Sequence, residues 1–498
     1  MSNPDPFNLP QSVFMISLGS NALFGEINIL PGDLQAKLRA FLSGSDPGVG
    51  KGPFFQALNM PGQAWPPLAA NSANGAGDWR TVWGPVVYLG ALNPGATNAM
   101  YVAHSPNLQT YVVAIAGTNP TGDYALFVED LAVAPANMVQ WPPAVSSGTP
   151  PSLNWTGLPQ AGSSNGAMQP IQQMPDPSSP YIDAGTSDGL TILYTILDKD
   201  RPWLIPGQAA PSPMTLSQFL GSVSQEYQTL VFTGHSLGGA LAPTLAMLLY
   251  PKAAKSPGPA NSGDPSLKSN WANVFVLATA GPTPGTQGFA NLFFTPAAAP
   301  VIGALDPILT VYPPLPPPAA TGSYAPVATD APQSAATWQF SYWNVIYANS
   351  YDVVPRAWNA LANLVQQPNS TSDGNFPSFF GGGLTLSPVK FQLDLIAPGP
   401  DAYKLVTHVM GTSGYVGDST NYYVPCLLHV PFNGVFGDWP SSGTYPPAPW
   451  TPAVPTGPVS SLGDLKSVIL NAHLGQYPSA FLGYPCPTLQ NVPVISSS

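Results

Sequence analysis

At 498 residues the chain is long enough for two or three average domains, yet single α/β domains with insertions also reach this size, so length leaves the count open. Hydrophobic residues make up 44 %, including 12 Trp, 20 Tyr and 21 Phe, which supports a large packed core and excludes global disorder. Charged residues reach only 7 % where about 25 % is usual, and 13 Lys+Arg within a net charge of −11 provide no basic stripe for phosphate backbones, which argues against a nucleic-acid partner.

With 63 Pro and 48 Gly the connections should be numerous and irregular. The two cysteines, Cys426 and Cys486, are compatible with one bridge or with two thiols. The opening Met1-Ser2-Asn3-Pro4-Asp5-Pro6 lacks the positive region of a secretory signal, the first basic residue being Lys37. Either export by that route is not used or its signal lies outside this sequence, and the compartment stays open. The most apolar stretch, Thr229 to Tyr250, carries His235 and Ser236 at its centre, so no transmembrane segment is expected.

Residues 1–80 read as an irregular N-terminal extension. It holds one helix, Pro31 to Leu42, where Leu34, Leu38 and Phe41 or Leu42 fall at helical spacing. Three runs of strand type follow, Val82 to Leu89, Ala99 to His104 and Gln109 to Ala116, the last rich in Val and Ile and ended by Gly117. A short amphipathic helix is predicted over Tyr124 to Leu131, then Pro/Ser/Gly-rich loop over 135–180. Helices are predicted at Ser187 to Leu197 and Thr215 to Tyr227, then the strand Thr229 to Thr233 and a long helix from Leu237 to Tyr250. Two further strands fall at Asn273 to Thr279 and Trp343 to Ala348. Alternation of this kind implies an α/β architecture, a mainly parallel sheet flanked by helices. Residues 81–498 are thus read as one domain with Pro/Gly-rich insertions at about 295–337 and 361–470.

The strand to Thr233 runs into Gly234-His235-Ser236-Leu237-Gly238, and the helix starts at once. Gly-x-Ser-x-Gly in that position is the nucleophile-elbow pattern of the α/β-hydrolase fold. The turn is too tight for side chains at Gly234 and Gly238, and it lifts the serine hydroxyl out of the sheet. Ser236 is therefore the candidate nucleophile. A serine needs a base, and the base an orienting group. The fold's order of Ser, acid, His leaves His408, His429 and His473 as bases, because His104 precedes the elbow and His235 lies within it with its ring turned from the Ser236 hydroxyl.

Five ordered segments resemble the class 3 lipases, the fungal-type triacylglycerol lipase family. They are Tyr111-Val112-Val113-Ala114-Ile115-Ala116-Gly117-Thr118, Tyr181-Ile182-Asp183-Ala184-Gly185, the elbow, Thr279-Ala280-Gly281-Pro282-Thr283-Pro284-Gly285, and Asn349-Ser350-Tyr351-Asp352-Val353-Val354-Pro355. Ala116 stands where the family usually has Arg, and Asp183 where it has His. The resemblance implies that Asp352 is the acid. The sequence agrees, since Asp352 follows a predicted strand at a carboxyl edge, where such folds place their chemistry, and Asp306, Asp330, Asp394 and Asp438 lack that combination.

For the base the resemblance divides. Asn471-Ala472-His473-Leu474-Gly475-Gln476-Tyr477 has the family's Leu and aromatic residue after His. The interval from Asp352 to His408 is nearer the usual one, and the Pro-rich insertion over 431–458 accounts for the excess to His473. His473 is the expected base, with His408 and His429 as alternatives. The resemblance also implies an oxyanion hole from the Leu237 N–H and from Thr118, and a lid over 124–131 in which Leu126, Phe127 and Leu131 would cover an acyl site. So read, the chain is an ester hydrolase, a lipase on acylglycerols, with an ester or lipid substrate, transient contact with a lipid interface, and no metal or other cofactor. Two other readings stand beside it, a short-chain or polyester-directed esterase and a catalytically silent binding protein on the same scaffold.

Overall fold

The computed structural model describes residues 9–22, 31–44, 52–59, 78–88, 98–118, 138–143, 176–198, 213–225, 227–250, 271, 273–293, 344–349, 352, 354–356, 423, 425–432, 473–474, 477 and 481. Helices α1 (Leu9–Ser20), α2 (Pro31–Ser43) and α3 (Pro53–Asn59) precede strands β1 (Arg80–Tyr88), β2 (Asn98–Ser105) and β3 (Thr110–Ile115). The short strands β4 (Val139–Gln140) and β5 (Tyr181–Ile182) pair with each other in a separate ribbon. Then come α4 (Ala184–Thr195), α5 (Leu216–Val223), β6 (Thr229–His235), α6 (Leu237–Leu249), β7 (Asn273–Thr279), α7 (Gln287–Phe293), β8 (Val345–Asn349) and β9 (Leu428–Phe432).

Among the described residues the main sheet has seven strands in the order β1-β2-β3-β6-β7-β8-β9. Pairing is antiparallel from β1 to β3 and parallel from β3 to β9. A mainly parallel sheet must be covered on both faces, and the strand sequences show it as alternation. Tyr111, Val113, Ile115, Leu230 and Phe232 face a core closed by α4, α5, α6 and α7. Val112, Ala114, Val231 and Leu277 face a second core with Phe14 of α1, Leu38 of α2, Phe54 of α3, and Tyr477 and Phe481 from the C-terminal region. This three-layer arrangement around a strand, turn and helix at Ser236 is the α/β-hydrolase fold.

Two stretches differ from their sequence reading. The extension over 1–80 was expected to be irregular with a single helix, and α2 is that helix. Yet α1 and α3 flank it, and all three pack on one face of the sheet. Val13, Phe14, Met15 and Ile16 are fully buried, each contributing about 1.5–3 kcal/mol by burial. α1, Leu-Pro-Gln-Ser-Val-Phe-Met-Ile-Ser-Leu-Gly-Ser, has no charged face to lend it helical periodicity, because it is buried nearly all round. The stretch 361–470, expected as insertion, contains β9. Its Pro431 lies opposite Ala348 on the outermost strand among the described residues, a place where proline is tolerated.

Candidate active site

β6 ends at His235 and α6 starts at Leu237, leaving Ser236 alone to make the turn with φ 60° and ψ −130°. A side chain at Gly234 would drive into the Gly238 carbonyl, and one at Gly238 into the carbonyls of Ile115 and Ala116. Only glycines let strand, helix and the end of β3 converge this closely. The Ser236 N–H donates to Thr279 O at 3.1 Å and the Gly239 N–H to Ser236 O at 2.7 Å, so the strained residue is tied on both sides. Ser236 is partly exposed among fully buried neighbours.

Asp352 lies just past the end of β8 and is wholly buried. Its Oδ1 accepts the Val354 N–H at 3.0 Å, and its Oδ2 accepts the Tyr477 hydroxyl at 2.9 Å and His473 Nδ1 at 2.7 Å. A buried carboxylate is tolerable only when its lone pairs are engaged in this way. Since a carboxylate accepts and cannot donate, the proton of a neutral His473 sits on Nδ1 and Nε2 is left as the bare nitrogen. His473 Nε2 is buried and has no hydrogen-bond partner among the described residues, Ser236 included. Tyr477 also accepts the Asn349 N–H at 2.9 Å, which locks its hydroxyl proton toward Asp352.

His235 connects this pair to the elbow. Its ring lies 4.7 Å from that of His473 and 5.0 Å from that of Tyr477, and its Nδ1 bonds Thr279 Oγ1 at 2.9 Å. Burial, reinforced by the neighbouring His473, holds its pKa well below the ordinary histidine value. His235 is therefore a neutral ring against which His473 packs, one residue before Ser236.

Leu237 opens α6, so its N–H has no acceptor within the helix. Thr118 follows directly on the β3 end that touches Gly238, and a side chain at Gly117 would come within 3.0 Å of Ser236 Cβ. Leu237 thus adjoins the serine in the chain, and Thr118 adjoins Gly117, whose backbone approaches Ser236.

Among the other histidines, His104 stacks on Tyr111 at 4.0 Å, where β2 pairs with the start of β3. That is the far end of the strand from Ser236, and burial with the Arg80 charge lowers its pKa to about 4. His429 sits on β9 opposite Ile346. His408 and the expected lid with Leu126, Phe127 and Leu131 lie outside the described residues.

Asp183, standing where the family resemblance calls for His, caps α4. Its Oδ1 accepts the Thr186 N–H at 2.6 Å and its Oδ2 the Thr186 hydroxyl at 2.7 Å. Cys426 is buried, with its thiol pushed up to about 12 by that burial, while Cys486 lies outside the described residues. No group of three or more His, Cys, Asp or Glu suited to a metal occurs among the described residues, and no helix there is long and apolar enough to cross a membrane.

Residues 210–313, which span α5, the elbow, α6, β7 and α7, match the family described as lipase (class 3). Over that segment the chain is similar to the class 3 lipases. Among solved structures it is similar to M37 lipase at 19 % identity, with 95 % of this chain and 94 % of that one covered and a TM-score of 0.48. It is also similar to the Lip2 lipase of Yarrowia lipolytica, at 13 % identity, 72 % and 76 % coverage and a TM-score of 0.29. Lipase II of Rhizopus niveus gives 13 % identity, 57 % and 62 % coverage and a TM-score of 0.26. No curated protein matches the sequence. The class 3 lipase segment contains Ser236 and Leu237, whereas Thr118, Asp352 and His473 all lie outside it.

Proposed function

We propose that the chain hydrolyses carboxylic esters, acylglycerols foremost, through Ser236, His473 and Asp352. The observation that carries this reading is the buried His473–Asp352 pair at 2.7 Å, set against the strained serine turn through His235. Ser236 Oγ attacks the ester carbonyl as His473 Nε2 takes its proton, and Asp352 holds the ring and stabilises the imidazolium. The tetrahedral oxyanion is received by the Leu237 N–H and by Thr118. Its collapse expels the alcohol, protonated by His473, and water then cleaves the acyl-enzyme by the same sequence. The Ser236 Oγ–His473 Nε2 hydrogen bond forms as substrate arrives, as such contacts commonly do.

Incubation with a fluorophosphonate should label one serine, identified as Ser236 by peptide mass spectrometry. Hydrolysis of p-nitrophenyl esters and triacylglycerols of increasing acyl length should then favour the long chains. Absence of labelling together with no turnover of any ester would point to a silent scaffold, and turnover confined to short chains to an esterase.

Thr118→Gly tests the second oxyanion donor. It deletes the hydroxyl and loosens the loop that holds the N–H, so kcat should fall on the order of 10²-fold with the triad intact. An unchanged kcat would leave Thr118 at most a backbone role.

A further inference from the structure

The second donor of the oxyanion hole sits on a loop that must be held against the elbow, and the residue doing this comes from the N-terminal layer. The Gly117 N–H donates to Oδ1 of Asn21 at 2.7 Å. Asn21 lies just beyond the end of α1 and is nine-tenths buried. Its own amide is fixed in turn, because Nδ2 donates to Ser17 O at 3.3 Å, one turn back in α1. The Gly117 N–H is thereby spent on Asn21, leaving Thr118 as the next residue along the loop to face developing charge. The loop has little slack, since a side chain at Gly117 would come within 2.5 Å of His235 O.

The other end of α1 holds the His473 segment. Gln11 Nε2 donates to Phe481 O at 2.8 Å, and the Phe14 ring stacks on Phe481 at 4.3 Å. Phe481 follows His473 and Tyr477 in the same C-terminal region, and its ring also meets Tyr347 of β8 edge-on at 5.2 Å. α1 is seated on the sheet between these two attachments by the Tyr101 hydroxyl, which donates to Ile16 O at 2.6 Å.

Resting on the serine-hydrolase reading above, we propose that Asn21 is a positioning residue of the oxyanion hole, and that α1 braces both the oxyanion loop and the segment that carries the base. Asn21 touches neither substrate nor nucleophile; it acts by fixing the Gly117–Thr118 peptide. Misplacing a catalytic donor by about 1 Å can cost on the order of 10²-fold in rate. Asn21→Leu, with the same branched shape but neither acceptor nor donor, should therefore lower kcat about 10- to 100-fold.

The test compares wild type, Asn21→Leu and Ser236→Ala as full chains, with p-nitrophenyl butyrate as substrate, fluorophosphonate titration to count competent serines, and an alkyl boronic acid as a tetrahedral mimic. Asn21→Leu should keep a full serine titre and KM within about twofold, while kcat and boronic-acid affinity fall in parallel. That parallel is a signature of weakened oxyanion binding, and simple loss of folded protein would not produce it. If kcat per titrated serine holds within about twofold, or falls with boronic-acid affinity unchanged, the role of Asn21 is overturned.

Should Asn21→Leu fail to fold, Asn21→Ala removes the acceptor without filling the space and is read by the same criteria. Hydrogen exchange at the Gly117 amide of the wild type adds a reading that needs no variant, slow exchange being expected and fast exchange removing the anchor. Ser236→Ala separates the two levels. Activity retained there overturns the serine-hydrolase reading itself, whereas an inactive Ser236→Ala beside a normal Asn21→Leu overturns only the inference about α1.

Discussion

Ser236→Ala should fold as the wild type does and lose roughly 10⁶-fold in kcat. The size follows from the way a triad works. In the proposed triad His473 and Asp352 would move one proton off one hydroxyl, so removing the hydroxyl would leave them nothing to act on, and only binding and the oxyanion donors would remain. The fold should survive because Ser236 makes its turn through the backbone. Its N–H to Thr279 and its carbonyl to Gly239 are untouched by the loss of Oγ, and the crowding that demands glycine lies at Gly234 and Gly238. Activity would be followed on p-nitrophenyl esters after confirming an unchanged melting temperature. Retention of more than about a tenth of the wild-type rate would remove Ser236 as nucleophile.

How far the sequence carried depended on whether a signal was local. The elbow was legible because its constraint acts within five consecutive residues, and the strand before it and helix after it have unmistakable composition. β6, α6 and β7 fell close to their expected bounds, since a parallel sheet buried on both faces writes continuous apolar runs. α1 was lost for the opposite reason. A helix buried nearly all round has no polar stripe, and Pro10 and Gly19 weaken its helical pattern further, so the stretch read as irregular. β9 was lost because Pro431 argues against a strand unless its outer place in the sheet is already known.

The candidate site divides in the same way. Asp352 was picked out by the family resemblance together with its place after a strand, yet nothing local could show that the Tyr477 hydroxyl shares its Oδ2 with His473. Tyr477 entered only as an aromatic in a signature. Asn21 left no trace, being one amide in a polar-apolar N-terminus that bonds a glycine 96 residues away. Such pairings arise from how the N-terminal layer docks on the sheet, and single-sequence periodicity does not report docking.

His473→Ala should be as damaging as Ser236→Ala, and His408→Ala nearly silent. Without a base the Ser236 hydroxyl stays a weak nucleophile, so loss of His473 should cost about the same factor as loss of the serine. Local sequence after His473 and the interval from Asp352 pointed to different histidines. The buried contact between His473 Nδ1 and Asp352 Oδ2 favours the former, because it leaves Nε2 as the nitrogen available to accept a proton. Both variants need a folding check, since His473 is 5 % exposed and its removal opens space against His235 and Tyr477. Near-ultraviolet circular dichroism and melting temperature would separate a collapsed core from a lost base. The wild-type pH profile supplies a second line, with kcat/KM falling on the acid side as the base becomes protonated. His235, held neutral by burial, should add no acid limb of its own. If His408→Ala is inactive while His473→Ala keeps full activity, the contact with Asp352 serves only to hold the C-terminal segment, and the shorter interval was the better guide to the base.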